Sequence, residues 1–187
     1  MIFFTKKRLI ILSIFFLFAI AFYFINLFIE PEAKETVALP VSNKVIIIDA
    51  GHGNPDGGAV SKNGVVEADI NLKIALKLQN LLEQSGATVL LTRSDENGIY
   101  DVDKKTLKQK KVSDIKNRVK IGNSASADIF VSIHLNKIPE EQYSGWQTFY
   151  KKNCENGKKL ATEIQENLKQ AIQKDNNRIA KEIDNVY

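Results

Sequence analysis

The chain has 187 residues, 44% of them hydrophobic and 26% charged, the composition of an ordinary globular protein of about one domain. Its formal net charge is +4, of which residues 1–30 hold +2; the remaining +2 is too weak and dispersed for nucleic acid, and no aromatic-rich basic stripe accompanies it. A single cysteine, Cys154, excludes both an intrachain disulfide and a zinc site built on several thiolates, and the sequence gives it no role beyond a small, half-buried side chain.

Lys6-Lys7-Arg8 precede an unbroken apolar run from Leu9 to Ile29. That run matches the ~20 residues a helix needs to cross the hydrocarbon core. It is apolar on every face, unlike a helix with one side on a core. Signal-peptide cores are shorter and end in a small-residue cleavage site; here the run ends Phe28-Ile29-Glu30-Pro31. Residues 1–29 are therefore expected as a membrane anchor, with a cleaved signal segment as the alternative. The basic flank places residues 1–8 in the cytoplasm and everything after about residue 30 on the extracytoplasmic, wall-side face. Residues 30–43 read as a linker, since Pro31 and Pro40 break helix and no periodicity appears.

Strands and helices then alternate. Val45 to Ile48 is a short β-branched run that reads as a buried strand, and Asp49 to Gly58 follow as a loop. A helix is expected from Glu67 to Ser85 with Ile70, Ile74, Leu78 and Leu81 as its apolar stripe, stopped by Gly86. Ala87 to Thr92 reads as a second strand, and residues 94–112 as an exposed Lys-rich loop. Ser113 or Asp114 is the expected cap of a helix carrying Ile115, Val119 and Gly122 on one face. Asp128 to Ile133 reads as a third strand and Gly145 to Tyr150 as a fourth. After Asn156-Gly157 a helix follows with Leu160, Ile164, Leu168 and Ile172 at i+4 spacing. The alternation predicts an α/β fold, a mainly parallel sheet covered by helices.

The chain has two histidines, His52 and His134, each just past the C-terminal end of an expected strand. In open α/β sheets that edge is where ligands bind. Glu67 stands at the start of the helix after the His52 loop. Two imidazoles and one carboxylate make a three-ligand metal site with an open position, the catalytic pattern for zinc, and equally the set used by non-haem iron oxygenases. Each residue also has an ordinary reading. A histidine after a strand is often a polar loop residue, Glu67 complements the positive end of its helix, Asp49 suits a turn, and the glycines suit tight turns.

The segments VIIIDAGHGNPDGGA (45–59), VVEADINL (65–72), LLTRSDE (90–96) and NRVKIGNSASADIFVSIHLN (117–136) together resemble the zinc-dependent N-acetylmuramoyl-L-alanine amidases. The match runs over roughly residues 44–187, and SGWQTFYKK (144–152) with the anchor and short linker looks nearest to the germination-specific, spore-cortex amidases. The resemblance implies a mostly parallel mixed sheet flanked by helices, with Zn2+ held by His52, Glu67 and His134. It implies peptidoglycan as substrate, cleaved at the amide between N-acetylmuramic acid and L-alanine by zinc-assisted attack of water with a glutamate as general base. Asp49 is expected as an acceptor for a histidine N–H and Asn136 as an orienting or substrate-side residue.

One part of the family pattern is not matched. The general-base glutamate of that family lies in a terminal segment resembling V-E-x-G-F-x-S-N, and Glu163, Glu166 and Glu182 do not match it. The amidase-like domain, residues 44–187, is thus expected to lack its C-terminal end, with the catalytic glutamate beyond Tyr187 and no residue of this chain as the base. Loss of a general base costs about 10²–10⁴ in rate. The alternative function is an inactive or truncated amidase-fold module that binds peptidoglycan and zinc without cleavage. A membrane-tethered structural protein without metal is a further class.

Overall fold

The computed structural model describes residues 6–28, 39–135, 145–172 and 175–184. They fall into two units, divided after Ala38. In the first, α1 (Lys6–Phe28) is a single apolar helix whose window Lys6–Phe24 is long and apolar enough to cross a membrane, with none of that window buried.

The second unit is α/β. Its elements are β1 (Val45–Ala50), α2 (Glu67–Gln84), β2 (Thr88–Leu91), α3 (Leu107–Ser124), β3 (Ile129–Ile133), β4 (Phe149–Lys151), α4 (Glu155–Ala171) and β5 (Lys181–Ile183). β1 is the central strand of a parallel sheet ordered β2-β1-β3, with α2 and α3 as the crossovers; β4 and β5 form a separate parallel pair. Every ladder among the described strands is parallel.

A central parallel strand is covered on both faces, which is why β1 is a continuous apolar run rather than an alternating one. Ile46, Ile48 and Ala50 turn to one face and form the core with Ala75, Ala87 and Val89, joined by Leu72, Leu78, Leu82 and Ile129. Ile47 is fully buried and, like Asp49, points to the opposite face.

Several boundaries differ from the sequence expectation. β1 runs on through Asp49 and Ala50, because the ladder to β3 continues to Asp49↔Ser132 and Ala50↔Ile133. The buried side of α2 is Ala68, Asn71, Leu72, Ala75, Leu78 and Leu82, while Ile74 and Leu81 are exposed. Small residues let this helix approach the sheet closely, and they carry little hydropathy signal. α3 begins at Leu107, not at Ser113 or Asp114. Thr106 caps it: the side chain accepts from the Gln109 N–H, and the Gln109 side chain accepts from the Thr106 N–H. Ser113 instead lies buried in the helix, donating to Asp101.

Residues 39–43, expected within the linker, form a turn. Val41 packs on the core, and Leu39 stands where a side chain at Gly86 would be. The fourth strand is shorter than expected. The helix after it begins before Asn156-Gly157, and Cys154 is its N-cap, the thiol accepting from the Gly157 N–H. Glu182 lies in β5.

Candidate metal centre

The site sits at the C-terminal edge of β1 and β3, where the topology delivers both histidines. His52 lies in the loop after β1, His134 directly follows β3, and Glu67 is the first residue of α2. Glu67 Oε1 stands 3.3 Å from His52 Nε2 and 3.3 Å from His134 Nδ1. The two imidazole rings meet edge to face, centroids 4.8 Å apart. One ligand atom from each residue lies within 4.8 Å of the other two. The structure thus brings together all three residues singled out as metal ligands.

Glu67 is buried and its carboxylate is pinned. Oε1 accepts from the Leu135 N–H at 2.8 Å and Oε2 from the Ala59 N–H at 2.9 Å. Burial alone would raise its carboxyl, but the hydrogen bonds from those two N–H groups help to hold it below the ordinary value. His134 is shifted down, first by burial and then by the neighbouring His52, against the pull of Glu67 and Asp49. A neutral imidazole is the form that ligates a metal.

Glycines let the backbone come this close. A Cβ on Gly51 would overlap the His134 ring, and one on Gly58, at φ +70°, would press on the His52 ring and the Glu67 carboxylate. His52 itself has φ 63°, a left-handed conformation uncommon outside glycine.

Two buried arginines hold that loop. Arg118 of α3 donates to the carbonyls of Ala50 and His52, at 2.8 and 2.6 Å. Arg93, just beyond β2, donates to the carbonyls of Ala50, Gly51 and Ala68, at 2.8, 3.1 and 2.8 Å. Asn71, fully buried, donates to the Gly51 carbonyl at 3.1 Å.

Asp49 does not meet a histidine N–H as expected. Its carboxylate accepts from Thr92 Oγ1, Ser132 Oγ and Arg118 Nη1, lacing together the ends of the three strands. The carboxylate that faces a histidine is Asp56, with Oδ2 3.1 Å from His52 Nδ1. Asn136 lies outside the described residues. Sequence reasoning missed Asp56, Asn71, Arg93 and Arg118 as parts of the site. The signal for the last two was faint: one arginine just after an expected strand and one in an expected helix, in a chain whose cations are mostly lysine.

The donor set fits a zinc ion, since two imidazole nitrogens and a carboxylate oxygen are its usual ligands. The hydrogen-bond chemistry agrees. Asp56 accepts only, so His52 gives its proton to that side, and the lone pair on Nε2 then faces Glu67 Oε1, another acceptor. With His52 neutral, two acceptors so placed would share a cation between them.

Residues 46–185 match the model of a family described as N-acetylmuramoyl-L-alanine amidase. The germination-specific N-acetylmuramoyl-L-alanine amidase of Bacillus subtilis is 35% identical over 166 residues, 89% of this chain and 69% of that protein. Among solved structures, the CwlD amidase from Clostridioides difficile, determined in complex with the GerS lipoprotein, aligns with a TM-score of 0.75 at 47% identity, covering 78% of this chain and 75% of that one. An N-acetylmuramoyl-L-alanine amidase from Clostridium difficile 630 aligns with a TM-score of 0.63 at 32% identity, covering 75% and 70%. With the site at the edge of a parallel sheet and the family match spanning most of that unit, this chain belongs to the N-acetylmuramoyl-L-alanine amidase family.

Proposed function

We propose that this chain is a zinc-dependent amidase that cuts the bond between N-acetylmuramic acid and L-alanine in peptidoglycan, and that it works in the spore cortex, in maturation or germination. The observation that carries the reading is the convergence of His52 Nε2 and His134 Nδ1 on one oxygen of Glu67. The cortex assignment is drawn from the germination-specific relative. The apolar helix α1 supports a membrane-anchored protein acting on the wall side.

His52, Glu67 and His134 would hold the metal. Bound there, zinc would supply Lewis acidity, able to polarise an amide carbonyl and to make water more acidic. The residues of the chain do the rest of the arranging. The N–H groups of Ala59 and Leu135 fix the Glu67 carboxylate, so its orientation does not change as substrate arrives. Arg93, Arg118 and Asn71 fix the backbone of residues 50–52 through its carbonyls. The His134 side chain is half-exposed, so this ligand can be reached from solvent.

The test uses the full chain in detergent, with metal content and release of stem peptides from sacculi measured together. His52→Ala is expected to abolish zinc binding and any hydrolysis. A His52→Ala protein with full zinc occupancy would refute the ligand set. A zinc-loaded wild type that binds sacculi but releases no peptide would leave the binding module as the function.

A further inference from the structure

Asp56 has more partners than a loop residue needs. Its backbone N–H and C=O both pair with Gly53, at 2.9 Å each. Its Oδ1 accepts from the Gly58 N–H at 3.2 Å and meets Lys111 Nζ at 2.8 Å. Its Oδ2 is 3.1 Å from His52 Nδ1. Lys111 belongs to α3, so the carboxylate is gripped from a separate element as well as from its own loop. Lys111, Asp56, His52 and Glu67 therefore form one chain of polar contacts, running from the surface of α3 to the carboxylate between the histidines.

We infer that Asp56 is the positioning residue that sets the tautomer of His52, with Lys111 holding the carboxylate in place from α3; the inference rests on the metal-site reading above. A carboxylate accepts and cannot donate, so the imidazole must present N–H at Nδ1. The lone pair then lies on Nε2, the nitrogen that faces Glu67 Oε1. A neutral imidazole without this partner distributes its proton over both nitrogens, and part of the population has Nε2 blocked. Orientation matters too. His52 sits on a left-handed backbone, and Asp56 restrains its ring from the side away from Glu67. The ordinary reading of Asp56, a stabiliser of the loop through Gly53 and Gly58, affects folding but says nothing of where the His52 proton resides.

The experiment takes the metal-free full chain in detergent micelles with 15N-labelled histidine and reads the protonated nitrogen of His52 by NMR. Zinc affinity is then measured by competition with a chelator. Wild type is expected to show Nδ1–H. Asp56→Ala is expected to shift the proton toward Nε2 and to weaken zinc by about 10–100-fold, the usual cost of losing such a partner. Asp56→Glu keeps a carboxylate within reach and should restore most of both readouts. Lys111→Met should weaken zinc severalfold, but have no effect in the Asp56→Ala background, as coupled residues behave. An unchanged tautomer and unchanged affinity in Asp56→Ala would overturn the inference. So would an Asp56→Glu variant no better than Asp56→Ala. If Asp56→Ala does not fold, Lys111→Met and Asp56→Glu carry the same two readouts. Failure of wild type to bind zinc would count against the metal reading alone, because the tautomer is read without metal.

Discussion

Asp49 and Arg118, 69 positions apart in sequence, form a buried ion pair at the end of the central strand, directly behind the loop that carries His52. The same guanidinium binds Asp114 on its own helix and the backbone carbonyls of Ala50 and His52. One side chain thus connects the sheet, α3 and the metal loop. Arg118→Met keeps much of the packing but leaves the Asp49 charge with only two hydroxyls. Removing one partner of such a pair costs about 3–5 kcal/mol. Urea unfolding followed by circular dichroism is expected to show a loss of that order, together with weaker zinc binding. A loss of a few tenths of a kcal/mol would mean that the pair adds little net stability.

The same pair fixes a pH response. Burial alone would raise the Asp49 carboxyl, but Arg118 and the hydroxyls of Ser132 and Thr92 outweigh it and hold it below its ordinary value of 3.8. A carboxyl depressed on folding adds stability that is fully present above the unfolded value and is lost as pH falls through the folded one. Wild type is therefore expected to lose this contribution only below about pH 3.8. Asp49→Asn should be less stable at neutral pH and show a shallower decline into acid. Parallel curves for the two proteins would remove Asp49 from the account.

Gly51 offers a test of geometry apart from charge. Its φ is not in the left-handed range, so alanine suits the backbone, yet the added Cβ would overlap the His134 ring. His134 must then turn away from Glu67. Gly51→Ala is expected to fold with an unchanged far-ultraviolet spectrum and to bind zinc at least about tenfold more weakly, in line with ligands displaced from a preorganised set. A Gly51→Ala protein with wild-type zinc affinity would mean that His134 is not required at that position.

Periodicity carries the order of strands and helices because β1 is uniformly apolar and the strong turn residues lie where the chain leaves the sheet. It holds only in part for α2: Leu78 packs on the core as expected, but Ile74 and Leu81 are exposed, and Ala68 and Ala75, too small to mark a stripe, are buried in their place. It fails at the start of α3, where Thr106 and Gln109 cap a helix whose first turns are lysine-rich and look like loop. The three converging ligands were legible because histidine is rare in this chain and both copies follow strands. Asp56 was not, because its meaning depends on Lys111, 55 positions away on another element. Asp49 looked like a turn residue beside a histidine, and only the pairing of β1 with β3 turns it toward Arg118 and Ser132.

A metal bound by residues from three elements should couple to global stability. His52, Glu67 and His134 are brought together only by the folded sheet, so zinc binds the native state and not the unfolded chain. A ligand at 100 times its Kd then adds about 2.7 kcal/mol. For a domain of this size, each kcal/mol raises Tm by about 2–4 °C. Chelation should therefore lower Tm by several degrees, and added zinc should restore it in wild type but not in His52→Ala. Magnesium, which prefers six oxygen ligands, should restore little. Equal recovery of wild type and His52→Ala with zinc would place the stabilising ion somewhere other than between the two histidines.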